Sequence, residues 1–369
     1  MSNFSAHLPI NNVSFGQTSI LFLRTYLDNV EEYSKIKDLS SLFLIGQPDM
    51  SAQDATFAEE IGPVVERLMK QGMESHHRDT PCFKLWHLNG SMESVSNDPL
   101  LLTFYELDAP TKAEINIAKN NRIALSSKYS QEVFRAYGVE SLYLPLAFDD
   151  YNFGKSNKTY TDDGRITFTV CGKFEKRKNH AKMIQAWIKK YGNNPKYFLQ
   201  CAIYNGFLPN HEEQNQAITN HLTGGQKYFN VNFYGHMLQN SVYNDFLNST
   251  NIMLGMSGGE GWGLPEFTAT ALGKHAVIMN AHGYKDWADK ENSVLVNPSG
   301  KQEAYDNFFF NKGAPFNQGN IFDFDEEEFL AGCEEAIKRV EANPVNEAGI
   351  KLQENFSKER FVKTVLENI

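Results

Sequence analysis

The chain reads as an α/β protein built from two doubly wound parallel-sheet domains, and three observations predict this. The first is length: 369 residues exceed one ordinary core and suit two domains of roughly 150 to 200 residues each. The second is the alternation of strand-like and helix-like patterns along the whole chain, which implies parallel sheets covered on both faces. The third is a polar stretch at residues 149–164, rich in Asp, Asn, Ser, Lys and Gly, after which the alternation restarts.

In the first domain, expected over residues 1–155, strand patterns lie at 19–27 (after a loop at 9–17), 42–45, 84–88, 100–105, 122–126 and 142–146. Helical patterns lie between them, for example at 52–70 and 130–137. In the second domain, expected over 165–345, strands are predicted at 166–170, 197–203, 231–234, 252–255, 276–279 and 293–296, with a helix at 181–191. Residues 346–369 read as helical. Sheets of this kind bind ligands beyond the C-terminal ends of their strands. Two such domains predict a cleft between the two sheet edges.

Composition narrows the class further. Hydrophobic residues at 41% and aromatics at 13% supply ample core, and no apolar run approaches the roughly 20 residues needed to span a bilayer. The first residues lack the basic start and apolar stretch of a signal peptide, so a cytoplasmic protein is expected. The cysteines Cys82, Cys171, Cys201 and Cys333 are far apart and form no CxxC pair. Buried thiols are expected rather than a metal or disulfide framework. Asn157-Lys158-Thr159 spells a glycosylation triplet but carries no weight without a secretory route. A formal charge of -10 argues against a generally basic nucleic-acid surface while leaving a local basic groove open. Oligomeric state cannot be read from the sequence.

The most specific signal is Ser257-Gly258-Gly259-Glu260-Gly261-Trp262-Gly263-Leu264-Pro265, placed between a strand and a helix that begins near Pro265. Proline suits a helix start because its missing N–H would be unpaired there. Glycines let backbone amides approach a ligand, and a helix N-terminus favours negative charge. A diphosphate, or a sugar attached to one, is the natural guest. The Glu-Gly-aromatic-Gly-Leu-Pro order resembles retaining glycosyltransferases of the two-domain GT-B fold, family 4, in which both domains are Rossmann-like and face each other across a cleft. In that family a second Glu follows after seven intervening residues, where this chain has Thr268. Two residues along a helix is about 200° of rotation, so Glu266 is not expected to replace it.

The resemblance implies roles residue by residue. Glu260 would meet hydroxyls of the donor sugar, and the backbone of Gly258, Gly259, Gly261, Trp262, Gly263 and Leu264 would line sugar and phosphate. The family's second Glu holds the ribose, which leaves Thr268 to contact it more weakly. Gly172 and Lys173, followed by Arg177 and Lys178, stand where the family has a Gly-Arg/Lys pair and a later Lys that reach the diphosphate. Tyr234, Gly235 and His236 occupy the place near the nucleotide base. The implied donor is a nucleotide-diphosphate sugar, UDP-linked, used without metal or other cofactor. The last helix, within 346–369, would cross back to the first domain.

On the acceptor side, His87 closes a strand and leads into the loop Leu88-Asn89-Gly90-Ser91, at a point where family members carry a His near the reacting carbon. His87 is taken as catalytic together with Glu260, Lys173 and Lys178. Asn89, Glu106 and Asp108 are expected to hold acceptor hydroxyls, and Gly16 and Gln17 to face the diphosphate. Several first-domain phrases resemble glycosyltransferases encoded by tailed bacteriophages, some of which modify hydroxymethylated DNA bases. DNA is therefore one acceptor, with Lys84, Lys112, Lys119, Arg122, Lys128 and Arg135 available for a basic groove. A polysaccharide, a lipid-linked sugar and a small molecule remain alternatives, as do a sugar-nucleotide epimerase or hydrolase and an inactive binding module. Asp323-Phe324-Asp325 spells a metal-binding triplet, but the acidic residues after it favour helix capping.

Overall fold

The computed structural model describes residues 2–90, 92–156 and 163–369. Met1, Ser91 and the Asn157-Lys158-Thr159 triplet lie outside the described residues. The chain divides into two compact units: Met1–Asn152 with Gly313–Gln318 and Gln353–Ile369, and Phe153–Lys312 with Gly319–Leu352.

The first unit begins with β1 (Asn3–Leu8), α1 (Ser14–Asp28), the single turn α2 (Val30–Tyr33), β2 (Asp38–Leu44), α3 (Ala55–Ser75) and β3 (Cys82–Leu85). It continues with β4 (Pro99–Thr103), α4 (Lys112–Lys119), β5 (Arg122–Leu125), α5 (Lys128–Arg135) and β6 (Leu142–Tyr143). The strands form one parallel sheet in the order β2-β1-β3-β4-β5-β6. Two expectations are corrected here. Residues 19–27 are the buried middle of α1, not a strand. Ten of that helix's residues are buried, and an apolar run that long belongs to a helix enclosed on most sides. The sheet instead gains β1, whose Phe4, Ala6 and Leu8 are fully buried although its sequence lacks β-branched residues.

The second unit repeats the plan. Its elements are β7 (Ile166–Cys171), α6 (His180–Tyr191), β8 (Tyr197–Ala202), α7 (His211–Thr223), β9 (Val231–Phe233), α8 (Asn240–Asn248), β10 (Ile252–Gly255), α9 (Leu264–Ala271), β11 (His275–Met279) and β12 (Val294–Val296). They are followed by the antiparallel pair β13 (Gly300–Glu303) and β14 (Asn320–Asp323), then α10 (Glu326–Ala342), α11 (Glu347–Ile350) and α12 (Leu352–Asn355). The parallel sheet runs β12-β11-β10-β7-β8-β9. Numbered within the unit this is 6-5-4-1-2-3, the doubly wound dinucleotide-binding order. Its core is aromatic: Trp187 is fully buried against Phe168 and Tyr191, with ring centroids 5.7 and 5.4 Å away.

Two excursions complete the first unit. Helix α13 (Lys358–Asn368) packs on α1, with Phe361 and Phe22 edge to face at 6.4 Å. The segment Gly313–Gln318, which interrupts the second unit in sequence, is fastened to the start of α4. Thr111 Oγ1 donates to the Pro315 carbonyl at 2.6 Å, and the Asn317 amide donates to Glu114 Oε1 at 2.9 Å. Glu114 also closes a capping box with Thr111, so one buried carboxylate serves two backbone amides. Glu114→Ala should cost about 1 kcal/mol through the lost cap and leave the Asn317 amide unpaired. Limited proteolysis should then show faster tryptic cleavage after Lys312 than in the unsubstituted chain.

Candidate functional site

In an open α/β sheet, the crevice for a ligand opens where strand order reverses. In the second unit that point lies between β7 and β10, and the loops leaving these two strands carry both sequence motifs. After β7, Gly172 takes a φ of +102°, and the Lys178 side chain lies over it: a Cβ there would stand 3.4 Å from Lys178 Cε. After β10, residues 256–263 form the Gly-rich turn. Gly263 has a φ of +85°, and a Cβ on it would come within 2.2 Å of Tyr284 Cε1.

A buried ion network joins the loops. Lys178 Nζ lies 2.5 Å and Arg177 Nη1 3.1 Å from Glu260 Oε1, and Arg177 Nη2 lies 2.6 Å from Glu175 Oε1. Arg177 also donates to the Gly259 carbonyl. All four charged groups are buried. Burial alone would raise the Glu260 carboxyl, but Arg177 and Lys178 outweigh it and hold the group well below the usual carboxylate range. Two buried imidazoles brace the loops: His180 Nε2 meets the Cys171 carbonyl at 3.2 Å, and His282 Nε2 the Ser257 carbonyl at 2.8 Å. Burial lowers them to about 3 and about 4 respectively, so both are neutral near pH 7.

Lys173 is partly exposed, 4.0 Å from Glu175 Oε2. Gly235 and His236 are exposed at the end of β9, while Tyr234 packs on Phe246 at 5.1 Å. Gly258 is committed to the fold: its N–H donates to the Arg177 carbonyl and its carbonyl accepts from Phe322, both at 2.8 Å. Its amide is therefore not available to a phosphate as expected. The Trp262 indole is buried against Phe267 at 5.4 Å, and the Trp262 carbonyl accepts from the Trp287 indole at 2.9 Å. Asp325 caps α10 by accepting from the Glu327 and Glu328 amides, and Asp323 pairs with Lys182 at 2.9 Å. Among the described residues no cluster of His, Cys, Asp and Glu is arranged to hold a metal ion.

Sequence reasoning gave Glu175 no role and set Glu266 aside. Thr268 and Glu266 are both buried on α9. Room for Glu266 is made by Gly255, where a Cβ would fall 2.8 Å from its Cγ, and by Gly263, where one would fall 3.2 Å from its Oε2. Burial pushes the Glu266 carboxyl up to about 7; Lys178 opposes the rise and Glu260 adds to it. An acidic residue in the first turn of a helix ordinarily complements the dipole, so its burial has no counterpart in the sequence pattern.

In the first unit the order reverses between β1 and β3. Phe15, at the start of α1, stacks on Phe104 with centroids 4.2 Å apart and planes 7° apart, and lies 4.5 Å from the exposed His87 ring. Asn89 is exposed, and Glu106 and Asp108 are half-buried beyond β4. Gln17 accepts from Gln53 Nε2 at 3.2 Å. Two expectations change. Gly16 lies inside α1, and the space left by its missing side chain is filled by the Asn11 backbone, 2.2 Å from a Cβ there, rather than left for a ligand. Lys84 is only 2% exposed and donates to the Gly90 carbonyl at 2.6 Å and to that of Glu93. It cannot serve a basic groove.

No family model matches the chain, and no curated protein matches it significantly. Solved structures do. Sucrose-phosphate synthase from Thermosynechococcus elongatus aligns over 99% of this chain and 97% of its own, at 12% identity and a TM-score of 0.63. A glycosyltransferase from Rickettsia africae aligns over 100% and 97%, also at 12% and 0.63. HepE from Anabaena, solved with UDP and glucose, aligns over 99% of each chain at 12% identity and 0.64. The chain has the GT-B fold. Both Rossmann-like units of that fold are present, each with six parallel strands. No helix among the described residues is long and apolar enough to cross a membrane.

Glu266 gives the GT-B chain a pH signature. A carboxyl raised from 4.5 to about 7 binds more protons folded than unfolded across that window, so its contribution to stability falls as pH rises through it. Thermal denaturation followed from about pH 5 to about pH 8 should show Glu266→Gln flattening this part of the profile. An unchanged slope would mean the carboxyl titrates normally.

Proposed function

We propose that the chain is a retaining, metal-independent glycosyltransferase that moves a sugar from a UDP-linked donor to an acceptor hydroxyl. The observation that carries this reading is the Glu260–Lys178–Arg177 network at the strand-order reversal of the second unit. Two cations and a carboxylate converge where that sheet class receives a nucleotide, within a Gly-rich turn of glycosyltransferase pattern. The fold shared with glycosyltransferases supports it, as do the UDP and UDP-glucose bound to HepE.

On this reading Lys173 and Lys178 face the diphosphate. Negative charge grows on the leaving phosphate as the sugar departs, and cations brought onto it stabilise that charge. Glu260, held anionic, accepts hydrogen bonds from donor-sugar hydroxyls and fixes the ring. Tyr234, Gly235 and His236 lie toward the nucleoside, and Thr268 replaces the usual ribose carboxylate. The acceptor is held by His87, Asn89, Glu106, Asp108 and Gln17, and attacks on the face from which the phosphate leaves, which takes its proton. The rate gain is then mostly positioning and charge stabilisation.

For the acceptor we propose a hydroxymethylated base in DNA. Lys112, Lys119, Lys128 and Arg135 are exposed on α4 and α5 and support this reading. Arg122 is already paired with Asp98 at 2.8 Å. DNA binding that weakens steeply with salt is the expected behaviour.

Removing one member of a buried ion pair leaves a stranded charge costing about 3–5 kcal/mol, so alanine variants would confuse folding with chemistry. Glu260→Gln and Lys178→Met keep side-chain volume but also strand a buried charge, so thermal unfolding is measured beside activity; in the fraction that remains folded each should lower kcat/KM for transfer by roughly 10²–10³. Full activity in either would refute the assignment. Donor turnover measured with and without acceptor tests the reaction class: product formed equally well without acceptor would replace transfer by hydrolysis or epimerisation.

A further inference from the structure

Beside this network, three phenylalanines of the second unit stand where a core would not put them. Phe207 is 58% and Phe308 42% exposed, and Phe309 is half-buried next to them. Phe207 and Phe309 meet edge to face with centroids 6.2 Å apart, and Phe308 lies 4.5 Å from Phe309. The Lys173 ammonium lies against both jaws, 3.9 Å from the Phe309 centroid and 5.1 Å from that of Phe207.

Built turns carry both rings. The Phe207 amide donates to Asn205 Oδ1 at 3.0 Å, and the fully buried Asn205 donates to the Phe174 carbonyl at 2.8 Å. Asp306 Oδ1 accepts from the amides of Phe308, Phe309 and Phe310, each at 2.9 Å, and Phe310 is buried as the anchor. Two short polar motifs therefore hold apolar rings out in the loops after β8 and β13, against Lys173, the residue that follows Gly172. A cation over a ring is held by the ring's quadrupole, and the same faces accept any planar aromatic group.

We propose that the Phe309 ring, braced edge-on by Phe207, offers a one-sided stacking slot that the Lys173 ammonium covers in this structure. Its occupant is the donor's nucleobase, which enters when Lys173 turns to the diphosphate. The proposal rests on the nucleotide-sugar reading above, and it moves base recognition from the end of β9 to the loops after β8 and β13. Stacking uses the π-face that every base has and reads no base edge. The slot thus supplies affinity with little choice between uracil and adenine.

Calorimetric titration of the full chain and of Phe207→Ala and Phe309→Ala, with UDP, ADP and inorganic pyrophosphate as probes, tests it. Each substitution should weaken UDP and ADP together by roughly tenfold or more and leave pyrophosphate within about twofold. Unchanged UDP affinity in both variants would overturn the slot while leaving the nucleotide-sugar reading intact. Equal losses for UDP and pyrophosphate would overturn it too, because the rings would then act only through Lys173. Failure of the unsubstituted chain to bind either nucleotide would remove both readings. Thermal unfolding of the variants checks that the substitutions leave the fold whole.

Discussion

The arrangement of the second unit depends on one constraint: Glu260, Arg177, Lys178 and Glu175 are buried together and must satisfy one another. Removing four charges from water costs several kcal/mol for each ion, and attraction offsets that cost only when geometry and additional hydrogen bonds are good. Both conditions leave marks on the chain. Gly172 turns the loop at a φ of +102° so that Lys178 can lie over it, and Arg177 is tied to the carbonyl of Gly259 next to its carboxylate partner. The network is a poor way to stabilise a protein and a good way to hold charges at fixed points.

Backbone conformation follows from the same demand. Asn179 sits in the left-handed region at a φ of +53° and uses its side-chain amide to bond the Met256 and Phe322 carbonyls at 2.9 and 3.1 Å. One residue therefore turns the β7 loop, ties it to the β10 loop and fastens both to β14. Gly258 completes the link, bonding Arg177 on one side and Phe322 on the other. Left-handed asparagine is tolerated where a short polar side chain finds local partners. Strain of this kind persists only where surroundings over-determine it, as they do here.

Much of this was legible because short motifs encode geometry covalently. The Gly-rich turn with Glu260 and the Gly172–Lys178 spacing fall at the sheet's reversal point, and most strand patterns lie within a few residues of the strands. What could not be read depends on tertiary partners. The 19–27 run looked like a strand because periodicity vanishes when a helix is enclosed on most faces, and β1 escaped notice because burial, not propensity, makes it central. Lys84 and Gly16 were misjudged for a common reason: a cation or a glycine next to a loop reads as facing a ligand until the chain segment that fills the space is known. Glu175 carried no assigned role, and Glu266 was set aside on helix rotation alone, which says nothing of its burial.

The two glutamates of the Gly-rich segment show how far environment separates like groups. Glu260 and Glu266 are six positions apart and both buried, yet two cations hold the first anionic while desolvation pushes the second up to about 7. Counted with Glu266 neutral, the carboxylates of Glu175 and Glu260 balance Arg177 and Lys178, and only Lys173 is in excess. A site so balanced has little long-range pull on a diphosphate. On the proposed function, binding must proceed by exchange, the phosphate drawing Lys178 away and freeing Glu260 for hydroxyls of the sugar. A carboxylate committed to a lysine until the donor arrives would couple phosphate recognition to sugar recognition. Were Glu266 ionised as well, it would compete for Lys178 and oppose the incoming phosphate. Its desolvated position between Gly255 and Gly263 keeps that competition weak below about pH 7.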